Sequence, residues 1–83
     1  MAETEIGTVS TYFSHVDVAA IKLSRSLSKG QHIHIKGNTT DFQIKVDTIQ
    51  IDRKNVNSAE KGDHIGIKVP EKVRPEDRVF LIE

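Results

Sequence analysis

The stretch Leu27-Ser28-Lys29-Gly30-Gln31-His32-Ile33-His34-Ile35-Lys36-Gly37 decides the fold. It reads as a turn, a short strand of strict alternation and a second turn. Glycine stands at both ends, where a positive φ carries no steric cost. Ile33 and Ile35 fall on one face of the strand, and His32, His34 and Lys36 on the other. Such a strand is half buried. It predicts a small antiparallel β domain with one face on a core and the other, with both histidines, in water.

The rest of the chain follows the same logic. Residues 5–13 are rich in β-branched and aromatic side chains and predict a strand with Gly7, Val9, Thr11 and Phe13 on one face. Gly7 inside it signals a close backbone approach or a bulge. Residues 16–23 fit a strand better than a helix, because Ala19, Ile21 and Leu23 alternate with Ala20 and Lys22. Residues 37–41 form a hairpin loop. Over residues 42–52 the apolar phase changes from Phe42, Ile44 and Val46 to Ile49 and Ile51, which predicts a β-bulge near Asp47-Thr48. One helical turn is expected at residues 58–61, stopped by Gly62. Residues 64–69 alternate again, Pro70 to Pro75 form a loop, and Asp77 to Ile82 is the last strand. Six short strands separated by turns predict an antiparallel barrel, whose closure removes exposed edges.

Composition sets the limits. At 83 residues the chain is one domain, 1–83, with residues 1–4 expected to be disordered and Met1 read as a natural start. It has no cysteine, which excludes disulfides, thiolate metal sites and cysteine nucleophiles and fits a cytoplasmic protein. Twelve basic residues balance twelve acidic ones, which argues against strong non-specific binding to nucleic acid or to an anionic membrane. No apolar run approaches a membrane span, and the acidic N-terminus is not a signal peptide. Four aromatic residues and no tryptophan make a poor base-stacking surface.

Five segments occur in an order that resembles a known family: Ile6 to Val9, Leu27 to Gly37, Val46 to Ile51, Ala59 to Ile67 and Arg74 to Val79. The chain is similar, over about residues 4–82, to the second domain of the translational GTPases, the family of elongation factor Tu. The resemblance implies a six-stranded Greek-key β-barrel. Leu27 would plug it, Gly62-Asp63 would turn into the strand of Gly66, and Gly66 would let backbones approach where the barrel closes. Similar barrels also end other proteins, including collagenase-like peptidases. The phosphate loop Gly-x-x-x-x-Gly-Lys-Ser/Thr is missing, so GTP binding and hydrolysis are not expected.

Candidate chemistry is sparse. His32 and His34 have a spacing that lets two imidazoles reach one metal, with His64 or His15 as a third ligand; the alternative is a pair of exposed strand residues. Ser24, Ser26 and Ser28 lack a nucleophile elbow and read as turn residues. The carboxylate pairs Glu71/Glu76 and Asp41/Asp47 read as solvated or capping groups. Lys22, Lys36, Lys45 and Lys68 stand on strands away from the apolar phase. With Arg53 they form a candidate basic stripe for an RNA backbone, or else protect strand edges. The expected function is therefore a non-catalytic, translation-factor-like module without cofactor that contacts RNA, a ribonucleoprotein or a protein partner. The alternatives are a subunit that docks on an enzyme and a metal-binding protein.

Overall fold

The computed structural model describes residues 2–82. The chain is all β: β1 (Glu3–Phe13), β2 (Val18–Leu23), β3 (Leu27–Ser28), β4 (His32–Lys36), β5 (Asp41–Lys45), β6 (Ile49–Ile51), β7 (Lys54–Val56), β8 (Ser58–Ala59), β9 (His64–Lys68) and β10 (Arg78–Ile82). Eight of these form one sheet in the order β5-β4-β10-β1-β2-β9-β6-β7, with every pairing antiparallel. β3 and β8 form a separate two-stranded ribbon. β1 begins at Glu3, inside the stretch expected to be disordered.

The closed six-stranded barrel is not what forms. β5 and β7 are unpaired edges at opposite ends of an open sheet. The cause lies at the expected bulge near Asp47-Thr48. The chain does not bulge there but leaves the sheet. Val46 turns fully into the core; its N–H donates to the Gln31 carbonyl, and its own carbonyl accepts from the Gly30 N–H, both at 2.8 Å. β6 then joins β9, far from β5 in the strand order. The expected helical turn at residues 58–61 is also absent. Ser58 and Ala59 are extended and pair with β3, and the Asp63 carboxylate accepts the Glu60 N–H at 2.9 Å in the turn that follows.

The core is aliphatic. Ile6, Val9, Ile21, Leu23, Leu27, Ile33, Ile35, Ile49, Ile67 and Val79 are each at most 2% exposed. Tyr12, Phe42, Ile44 and Leu81 pack around them, partly buried. Two bulges in β1 shape the sheet. At the first, Ile6 is the extra residue between Glu5 and Gly7, which lets both Ile6 and Gly7 face inward. A Cβ on Gly7 would lie 2.7 Å from the Lys22 carbonyl, so the glycine allows β1 and β2 to approach. At the second, Ser10 is extra between Val9 and Thr11, and its hydroxyl donates to the Ala20 carbonyl at 3.1 Å.

The second bulge corrects the expected phase of β1. Beyond Ser10, Tyr12 turns toward the core and Phe13 turns outward, 45% exposed. Gly37 differs too. Gly30 has the expected positive φ of 90°, whereas Gly37 is needed because a Cβ there would collide with the Asp77 carboxylate.

Candidate functional site

The outer surface of the sheet is organised by register. In an antiparallel sheet, residues directly opposite one another share a face, so pairings propagate across strands as rows. One row runs Asp41, Lys36, Arg78, Thr8, Lys22 and His64, across β5, β4, β10, β1, β2 and β9. All six residues are exposed. A neighbouring row places Gln43, His34, Phe80 and Glu5 side by side.

His34 corrects the opening reading. It does point away from Ile33 and Ile35, but it is only 8% exposed. Two carboxylates cover it, one from the neighbouring β5 and one from β1 beyond β10. Its Nδ1–H donates to Glu3 Oε2 at 2.7 Å, and its Nε2–H donates to Asp41 Oδ1 at 2.5 Å. Donation from both ring nitrogens requires the imidazolium. The hydrogen bond to Asp41, and then that to Glu3, hold the His34 pKa above its ordinary value, while burial opposes them. In return, the hydrogen bond from His34 lowers the Asp41 carboxyl. While it is protonated, with both nitrogens donating, His34 has no free lone pair. The tie crosses the outer side of β10 and links β1, β4 and β5.

The expected histidine trio does not converge. His32 lies in the row of Ile82 and Lys45, and His64 stands on β9, four strands from β4. Among the described residues, no group of three or more His, Cys, Asp or Glu side chains is placed to hold a metal ion. His15 does lie with His64 along one shallow trough on the outer side of β2, β9 and β6.

The expected basic stripe divides. Lys22 and Lys36 belong to the long row. Lys45 and Lys68, on strands far apart in the order, are brought by the curl of the sheet to one cleft, where Asp17 and Asp47 offset them. Arg53 occupies the two-residue turn between β6 and β7, with φ of 66° following 52° at Asp52.

Three contributors escaped the sequence reading. Glu3 fell in a stretch expected to be disordered. Arg78 and Arg74 escaped because the pairing of β10 with β4 joins distant segments. A partial signal existed: the loop of residues 37–40 sets Lys36 opposite Asp41, which puts a carboxylate within reach of the outer face of β4.

Lys36, Arg74 and Arg78 line a cleft of about 560 Å³ between the 37–39 loop and the 74–77 loop, with Phe80 half-buried along it. The loops are fixed by their own bonds. Asp77, 6% exposed, accepts the Arg74 N–H at 2.9 Å through its carboxylate. The Gly37 N–H donates to the Thr40 carbonyl at 2.7 Å.

Known proteins place this fold. No family model matches the chain. Over 80 residues, 95% of its length, it is 40% identical to an uncharacterized protease of Methanocaldococcus jannaschii. Over 83 residues it is 40% identical to a collagenase of Porphyromonas gingivalis. The chain spans only 20% and 23% of these relatives. Among solved structures it superposes with a TM-score of 0.88 on the C-terminal domain of a Geobacillus thermoleovorans protein named as a U32 peptidase, at 15% identity, covering 94% of this chain and 91% of that one. A selenomethionine variant of that domain gives 0.86, also at 15% identity, covering 90% of this chain and 95% of that one. The resemblance to the second domain of translational GTPases is thereby overturned, and with it the translation-factor-like, RNA-contacting function. The five segments describe a small antiparallel β domain, and it is the collagenase-like peptidases that carry it among the relatives found.

Proposed function

We propose that this chain acts as a non-catalytic accessory β module of the U32-peptidase kind, working beside a catalytic part that it does not itself contain. One observation carries this reading: 40% identity over nearly the whole chain falls within about a fifth of proteins named as protease and collagenase. The structural likeness to a C-terminal domain supports it. The chemistry agrees, because the most elaborate polar cluster, Glu3–His34–Asp41, engages both nitrogens of its imidazole. That arrangement braces the strands β1, β4 and β5. A cytoplasmic setting, which the cysteine-free composition fits, belongs to the same reading.

The test is an exchange. The matching segment of the Porphyromonas gingivalis collagenase is deleted in one variant and replaced by this chain in another, and gelatin cleavage is followed. The deletion should lose activity and the chimaera should recover most of it. This chain alone should cleave nothing. Cleavage by the isolated chain that disappears in His34→Gln would overturn the non-catalytic reading. A chimaera as inactive as the deletion would overturn the accessory role.

A further inference from the structure

We propose that the cleft between the 37–39 and 74–77 loops binds an acidic peptide segment, one carboxylate-bearing residue next to an apolar one. The inference stands apart from the accessory-module reading and rests on the charges in the sheet. Arg78 on β10 is directly opposite Lys36 on β4. Like charges in that position destabilise a sheet. No ion pair answers them: among the described residues, neither these two nor Arg74 forms one within 4.0 Å. The nearest acid in the row, Asp41, is hydrogen-bonded to His34 and meets Lys36 only through a weaker, longer-range attraction.

The two carboxylates along the cleft do not neutralise it. Asp77 is buried against Gly37 and bonded to the Arg74 backbone. Glu76 stays exposed, in a strained backbone position with φ of 76°. Three cations against two carboxylates leave a single positive excess. That balance suits one carboxylate. A phosphate chain would set several negative charges against Glu76 with little to compensate them. Phe80 and Pro75 supply an apolar surface beside the cations, and Asn38 and Thr39 supply side-chain groups for a peptide backbone. A carboxylate adjacent to an apolar side chain meets all of these.

The experiment uses the whole chain, labelled with nitrogen-15, and the capped peptide Ac-Leu-Asp-Leu-NH2. Amide shifts should move in the 36–39 and 74–80 segments, and the affinity should fall as salt is raised. The version with Asn in place of Asp should bind about tenfold more weakly or not at all. Arg78→Glu should raise the melting temperature, because it puts a carboxylate opposite Lys36, and yet weaken the peptide by about tenfold or more. If that variant does not fold, Lys36→Gln should show the same loss of binding. The proposal falls if no shifts appear, if the neutral peptide binds equally well, or if the charge variants bind unchanged. It also falls if inorganic phosphate or a short oligonucleotide occupies the same residues more tightly than the peptide.

Discussion

The two halves of the sheet finish their outer surfaces differently. In the half made of β5, β4, β10 and β1, the outer face is tied by side chains: Glu3 and Asp41 close over His34, and the Phe80 and Ile82 side chains beside them are partly buried. In the half made of β2, β9, β6 and β7, the outer face is stripped. Val18, Ala20 and Gly66 line a shallow trough of about 1060 Å³, and Phe13 and Val16 stand at it 45% and 47% exposed. The inner faces show no such contrast, since Ile21 on β2 and Ile33 and Ile35 on β4 are all completely buried. Stability is therefore shared by the two halves through the core, and individuality resides in the outer layer.

The largest expected effect tests that sharing. Ile21→Ala and Ile33→Ala, one in each half, should each cost about 2–5 kcal/mol, because both leave a cavity in the same core. Urea unfolding monitored by circular dichroism should give one transition of unchanged slope for both. A broken slope, or two transitions for one variant alone, would show that the halves unfold separately.

The seam between the halves is the β1–β2 pair, and Gly7 sets its closeness. Gly7→Ala would drive a methyl group into the Lys22 carbonyl, which is backbone and can yield only if the strands part. The expected cost is about 1–3 kcal/mol, as for overpacked cores. It is read as a lower urea midpoint, with faster hydrogen exchange in β1 and β2 than in β4. A loss confined to β4 and β5 would contradict the place of the seam.

The ionic tie adds a pH dependence to one half only. His34 has a folded-state pKa raised above its ordinary 6.5, so its contribution is complete below that value and fades as the pH rises through the folded-state pKa. Asp41 has a folded-state pKa lowered from 3.8, so its contribution is present above 3.8 and fades as the pH falls through the folded-state value. The tie is at full strength between the two. His34→Gln should lower the melting temperature by a few degrees near pH 5, and by progressively less as the pH rises above 6.5. A melting-temperature difference that stays constant from acid to alkaline pH would mean that His34 acts by packing alone.

How much of this was legible in the sequence follows from the range of the interactions. Alternation over residues 31–36 and 64–69 gave strands with the correct inward side chains, because Ile33, Ile35, Ile65 and Ile67 answer to a local period of two. Gly7 correctly signalled both a bulge and a close approach, again a local property. Ser10 gave no such signal, so the phase of Phe13 was read wrongly. The burial of His34 was invisible for another reason: its partners come from residues 3 and 41, and only the register of four strands brings them over it. The unpaired Lys36–Arg78 opposition depends on the same long-range register. Charge and alternation within a segment can be read directly; what two distant segments do to each other's outer faces cannot.

The smallest expected effect concerns the stripped half. Phe13 and Val16 are nearly half exposed, one at the outward-turned end of β1 and the other in the turn that follows. Nearly half of their surface stays in water in the folded chain, so replacing them should cost the fold less than truncating a fully buried side chain. The double variant Phe13→Ser/Val16→Ser should lower the unfolding free energy by about 1 kcal/mol, below the cost of a single core truncation. It should also reduce concentration-dependent association in sedimentation experiments, because an exposed apolar patch favours self-contact. A loss of about 2 kcal/mol or more would make the trough an extension of the core. The two halves would then differ only in how completely each side chain is covered, and the contrast between a tied and a stripped outer face would disappear.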